Sequence, residues 1–117
     1  HHRRKPDAME KLRKIDHFYS EQFAYVLEKM RSTKDLHGRP LLESTMLSWG
    51  SGLSDADRHD HYNLPTVLAG GRGLGLQTGR CVRLAEDTPL ANLQLAIAHK
   101  MGVELVAHGD STAALEI

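Results

Sequence analysis

Apolar residues return every three or four positions along the first part of the chain, at Met9, Leu12, Ile15, Tyr19, Phe23, Val26 and Met30. That is the helical period. Pro6 at the first turn, followed by Asp7 and Glu10, suits the donor-rich, electropositive start of a helix. The spacing predicts a long amphipathic helix over about 6–32, broken by "KDLHGRP", with Gly38 as a turn residue and Pro40 as a stop. The pattern then shortens. "LLESTMLSWGSG" is apolar and β-tolerant and closes on Gly50 and Gly52, which predicts a strand at about 43–50. "LPTVLAGG" reads as a second strand and "RCVRLA" as a third, with "GGRGLGLQTG" as a wide hairpin turn between them. "TPLANLQLAIAHKMG" predicts a second helix with Thr88 as N-cap, Pro89 at the first helical position and Gly102 as the stop. Its expected apolar face is Leu90, Leu93, Ile97 and Met101. The tail "VELVAHGDSTAALEI" leaves room for one more short strand. This order predicts an α/β or α+β layer, a small sheet packed by two helices.

Composition narrows the function classes. At 117 residues the chain has room for one core, so residues 1–117 read as a single domain. Fifteen Lys and Arg balance fifteen Asp and Glu, so no basic excess marks a nucleic-acid binder. Aromatics are only 5%, so the core must come from Leu, Val, Ile, Met and Ala with a modest margin, and partner surfaces are expected to contribute the rest. Cys81 is the one cysteine, which excludes an internal disulfide. No apolar run approaches the roughly 20 residues of a membrane-spanning helix, and the N-terminus has no signal-peptide pattern. Expressed alone, the chain is expected in the cytoplasm. Its start, "HHRRKPD", fits a tag remnant or a segment of a longer protein.

The chemically suggestive stretch is "SDADRHDHYN". Asp55, Asp57, His59 and His61 alternate, and carboxylates with imidazoles suit a divalent ion, zinc or manganese first. In an extended segment, however, alternate side chains rise about 6.6 Å apart, while each ligand must sit about 2.0–2.2 Å from one ion. The loop would have to bend, or to provide one or two ligands of a larger set. A polar connection between strands fits the same residues. His1 and His2 are adjacent and have ligand chemistry, though a tag remnant or a frayed terminus is the more frequent explanation of such a pair. His17 reads as a helix-face residue, and His99 suits a helix C-terminus. The glycine stretch lacks both the dinucleotide fingerprint and the Gly-Lys-Ser/Thr ending of a phosphate loop. Arg72 and Arg80 are the cations that would hold an anion there. "WGSGLS" is no nucleophile elbow, because Trp49 and Leu53 occupy the positions that G-x-S-x-G gives to glycine.

Taken together, the first helix, "LLESTMLSWGSGLSDADRHDHYNLPTVLAGG" and "TPLANLQLAIAHKMGV...GDST" resemble the C-terminal part of a bacterial family of uncharacterised exported proteins. "GSGLSD...HDHYNLPTVLAGG" is the most specific block. The resemblance implies that His1 and His2 are native and that the chain is a fragment or truncated form of a longer protein, exported to the periplasm or outside the cell. That family is distantly similar to the alkaline phosphatase and sulfatase superfamily, metal-dependent hydrolases on an α/β sandwich. The implied fold is the C-terminal part of such a sandwich. "STMLSWGSGLSD" then stands for the strand entering the metal motif, His59 or His61 for the later histidine, and "LPTVLAGG" for the next strand. Gly52 and Leu53 stand where the superfamily's Asp-His pair would fall, and neither binds a metal through its side chain.

Two functional expectations follow. One is a minimal or degenerate metal-dependent hydrolase of small phosphate or sulfate esters, with His59 and His61 plus Asp55 or Asp57 holding one ion, completed by a homo-oligomer. The other is a non-catalytic module that self-associates. Neither calls for nucleic acid or a membrane.

Overall fold

The first helix lies where the three-and-four spacing puts it. In the computed structural model, which describes residues 2–117, α1 spans Pro6–Ser32 and begins on its proline. It ends where Thr33 donates both its backbone N–H and its hydroxyl to the Lys29 carbonyl, at 2.9 and 2.8 Å. The "KDLHGRP" turn follows, closed by an isolated bridge between Lys34 and Pro40. Asp35 organises it: one carboxylate oxygen accepts the N–H groups of His37 and Arg39, and the other accepts the Arg39 guanidinium.

These bonds, the Arg39 N–H first, hold the Asp35 carboxyl below the ordinary aspartate range against an opposing desolvation effect. A carboxyl lowered in the folded state stabilises fully above the ordinary range and stops doing so as pH falls through its lowered value. Acid titration followed by NMR is therefore expected to release the His37 and Arg39 amides together, and Asp35→Asn to remove that pH dependence. Release at an unshifted aspartate midpoint would contradict it.

A single 3-10 turn, Leu41–Glu43, leads into β1, Met46–Gly50. β1 pairs antiparallel with β2, Thr66–Gly70, in the register Met46 with Gly70, Ser48 with Leu68 and Gly50 with Thr66. The ladder runs straight into a tight junction. Gly71 donates its N–H to the carbonyls of both Leu42 and Thr45, at 2.9 and 2.8 Å. A second 3-10 turn, Arg72–Leu74, then delivers Leu76 to the interior. Helix α2, Leu90–Lys100, closes on a Schellman motif: Gly102 at φ +78° donates to His99, and Val103 donates to Ala98. Thr88 bonds back to Ala85 and does not cap the helix; Pro89 takes the N-cap position.

The architecture is thus two helices with a small antiparallel two-stranded sheet. Among the described residues two expected strands are not formed. "RCVRLA" has strand-like alternation, but no neighbouring strand lies beside it, and Val82 and Leu84 stay 55% and 45% exposed. The glycine stretch is accordingly a 3-10 turn and coil rather than a hairpin, and the tail is irregular. The buried face of α2 also differs from the expected one. Ala91, Asn92, Leu95 and Ala96 are buried, while Leu90 and Met101 are about half exposed.

Asn92 explains the rotation. Its Oδ1 accepts the N–H groups of Thr112 and Ala113, its Nδ2 donates to the Thr112 hydroxyl, and its carbonyl accepts the Leu115 N–H. The C-terminal segment is laced to α2 through this one residue.

Helix α1 meets the sheet at its C-terminal half, where Phe23 stacks on Trp49 with ring centroids 5.5 Å apart and planes at 16°. Phe23→Ala is expected to destabilise the chain by about 2 kcal/mol, below a fully buried aromatic because Phe23 is only half-buried. The fluorescence of Trp49, the one tryptophan, reports the loss directly as a red shift; unchanged emission would mean the stack is not kept in solution.

Candidate functional site: the loop between the strands

Residues 51–65 join β1 to β2 and carry the alternating aspartates and histidines. The loop is closed at its base, where Ser51 donates its N–H to the Pro65 carbonyl at 3.3 Å. Ser51 Oγ accepts the Leu53 N–H at 3.1 Å, which makes a tight turn directly after β1. Above it a second neck forms: Ser54 donates its N–H to the Asp60 carbonyl at 2.9 Å, and Asp60 donates its N–H to the Asp55 carbonyl at 3.1 Å. The chain reverses beyond the upper neck with His59 at φ +55°, a left-handed position that histidine tolerates better than most residues.

Each candidate ligand has a definite place. Asp55 Oδ1 accepts the Asp57 N–H at 2.8 Å and the Arg58 N–H at 3.4 Å, and His2 Nε2 lies 3.7 Å away. The Asp57 N–H above all, with Arg58 and His2 adding to it, keeps the Asp55 carboxyl below the ordinary aspartate range despite desolvation. Asp57 Oδ1 accepts the Arg3 N–H at 3.0 Å, so both carboxylates draw the N-terminal segment onto the loop. His59 sits at the reversal. His61 lies on the other side of the upper neck, where its Nδ1 is 2.9 Å from the Gly52 carbonyl. A carbonyl only accepts, so Nδ1 carries the proton and Nε2 is the ring's acceptor.

The loop bends, as a metal site would require, but its carboxylates turn towards backbone N–H groups. Among the described residues no three His, Cys, Asp or Glu side chains come together in a metal-holding group. Of the two candidate anion holders, Arg72 is exposed on the second 3-10 turn. Arg80 donates to the Gln77 and Glu116 carbonyls, at 3.2 and 2.9 Å, and so ties down the C-terminus. His17 faces Glu21 on the surface of α1, and His99 bonds the Leu105 carbonyl beyond α2. His1 lies outside the described residues.

Comparison with protein-family models, with curated proteins and with solved structures finds no match. Geometry alone bears on the function.

Two features escape a reading of the sequence. A shallow groove of about 250 Å³ separates β1 from α2, lined by Ser48, Ser51, Thr66, Leu93, Gln94 and Ile97. Periodicity gives no sign of it, because it depends on how α2 is rotated. The larger feature is the bare surface of α1. At 100° per residue its apolar positions cover an arc of about 200°, twice the stripe that one packed face needs. Leu12, Phe23, Leu27 and Met30 on one edge are half-buried. Ile15, Phe18, Tyr19, Tyr25 and Val26 on the other are 41–59% exposed. The width of the arc was the available signal. No helix among the described residues is long and apolar enough to cross a membrane.

Proposed function

We propose that this chain is a non-catalytic interaction module, a layer that completes its apolar core against another protein surface. The observation that carries this reading is the exposed area. The chain shows 8996 Å² to solvent, where a folded monomer of this mass shows about 6,300 Å². Its radius of gyration of 16.6 Å exceeds the roughly 13 Å of a globular chain of this length. The interior is correspondingly small: Leu76, Ala91, Leu95 and Ala96 are its buried apolar residues, and no described side chain falls below 2% exposure. Such a surface either associates or binds apolar probes. In solution the chain is expected to sediment above its monomer mass or to bind an apolar dye strongly. A monomer that binds no dye and melts cooperatively would overturn the reading.

His61 favours a second reading, a minimal or degenerate metal-dependent hydrolase of phosphate or sulfate esters. Nδ1–H on a backbone carbonyl with Nε2 as acceptor is the second-contact arrangement of metal-binding histidines. In this reading the architecture is the C-terminal part of an alkaline-phosphatase-like sandwich from an exported protein, and Arg72 is the exposed cation facing an anionic ester. The donor set within one copy does not by itself fit a closed zinc or manganese site, so His61 with Asp55, Asp57 or His59 would share an ion with ligands from a second copy. Elemental analysis of protein purified without chelator is expected to find about one divalent ion per two chains. His61→Ala is expected to lower metal affinity by on the order of 100-fold. Metal-free protein that hydrolyses no phosphate or sulfate ester would remove this reading.

A further inference from the structure

We infer that residues 80–85 of a second copy add as a third strand to the outer edge of β1, with their apolar side chains in the groove beside α2; the inference deepens the interaction-module reading and rests on it. The edge is open. Thr45 accepts the Gly71 N–H and Ser51 donates to Pro65, so in this register Leu47 and Trp49 bond inward to β2, while Met46, Ser48 and Gly50 turn their N–H and C=O groups outward. Among the described residues none of these outward groups has a hydrogen-bond partner. Met46–Gly50 also carries no charged residue and no proline, the usual guards of an edge. A row of donors and acceptors on every second residue is matched by one kind of ligand, an extended backbone. The outer edge of β2 offers a shorter row, because Gly70 leaves the extended region at φ +83°.

The same chain holds a strand in want of a neighbour. "RCVRLA" has strand-like alternation, yet among the described residues the backbone N–H and C=O groups of Cys81, Val82, Arg83 and Leu84 bond to nothing. Its own copy fastens it at both ends: Arg80 by its guanidinium to the Gln77 and Glu116 carbonyls, and Ala85 by its carbonyl to the Thr88 N–H and hydroxyl. Val82 and Leu84 share one side of an extended run and are 55% and 45% exposed. Laid antiparallel with Val82 opposite Gly50, the segment sets Leu84 opposite Ser48, and both side chains fall on the groove side of the sheet. There β1 offers only the small residues Ser48 and Gly50, and α2 supplies Leu93 and Ile97 across a space of about 250 Å³. On the other face the same register brings Arg83 beside Trp49, a cation next to an aromatic ring. Two copies that exchange this segment close into a two-fold dimer.

The test is sedimentation equilibrium of the full chain between about 1 and 100 µM, with apolar-dye binding and hydrogen exchange followed in the same samples. The expected result is a dimer with Kd near or below about 10 µM. As it forms, the Met46, Ser48 and Gly50 amides gain protection, while those of Leu47 and Trp49, already in the ladder, change little. Val82→Glu with Leu84→Glu, both at positions exposed in the single copy, weakens the dimer by on the order of 100-fold. Ser51→Cys reads the register. Cys81 of the second copy falls opposite that position in a non-hydrogen-bonded pair, with Cα atoms about 4.5 Å apart, a separation a disulfide spans. Oxidised glutathione is therefore expected to join positions 51 and 81 of two chains, and mass spectrometry of the linked peptides identifies the bond. A dimer without that link, or a link within one chain, would overturn the inference while leaving the module reading in place. A monomer that binds the dye would do the same, and would leave the edge to a foreign partner. A monomer that binds no dye and melts cooperatively would remove both.

Discussion

Gly70→Ala is expected to lower the melting temperature by on the order of 10–15 °C, about 3–4 kcal/mol, the largest effect of any single methyl group added to this chain. Gly70 closes β2 at φ +83°. A Cβ there meets the Thr45 carbonyl oxygen and comes within 2.9 Å of the Leu42 carbonyl oxygen. Neither can retreat, because both already accept the Gly71 N–H. The strain therefore spreads into the ladder through the Met46 and Gly70 pair and into the turn that positions Leu76. Gly102→Ala separates the two contributions. Gly102 has a similar φ of +78° with nothing within 4 Å of its Cβ position, so only the left-handed conformation is penalised, by about 1–2 kcal/mol. Thermal melts of the two variants read the difference; equal shifts would mean that the carbonyl contacts contribute nothing.

The second large effect is expected from Asn92→Ala, about 2–3 kcal/mol. Asn92 is 4% exposed, and its amide serves two backbone donors and one hydroxyl of the C-terminal segment. Removing it leaves those groups without their partners while the segment still covers α2. Hydrogen exchange is expected to show the Thr112 and Ala113 amides losing protection, with the α1 amides unaffected. Asn92→Asp keeps the oxygen that accepts both N–H groups and loses the donor to Thr112, so it falls between wild type and Asn92→Ala. An Asn92→Ala protein with a fully protected tail would show that apolar contacts alone hold it.

What could be read from the sequence follows the range of the interactions concerned. Helix α1 obeys periodicity and a starting proline, both local, and its ends fall at residues 6 and 32 as expected. Strands β1 and β2 are bounded by their own glycines and prolines. The Gly102 stop is likewise a local device. "RCVRLA" fails because a strand needs a neighbour, and alternation within six residues says nothing about whether one is present. Helix α2 is apolar on nearly every side, so Leu90, Leu93, Ile97 and Met101 satisfy the period as well as Ala91, Leu95 and Ala96 do. The choice between them comes from Asn92, a polar residue in phase with the second set. Its partner lies twenty residues away, beyond the reach of any periodic pattern. In the loop, the side-chain chemistry was legible and its direction was not. Asp55 and Asp57 each give one oxygen to a backbone N–H, of Asp57 and Arg3, and no pattern of residues along the chain foretells that direction.

The double neck of the loop has one more consequence. Ser51 with Pro65, and Ser54 with Asp60, fasten the excursion at two levels, so the strand register is fixed below the point where His59 reverses the chain. Residues grafted at that reversal, between Arg58 and Asp60, lengthen a segment whose ends are already held together. Each doubling of its length then costs only about 0.6 kcal/mol of closure entropy. The hairpin is in this sense a display scaffold: a peptide epitope or a tighter metal-binding sequence spliced there can change what the protein binds while the layer beneath it stays as it is.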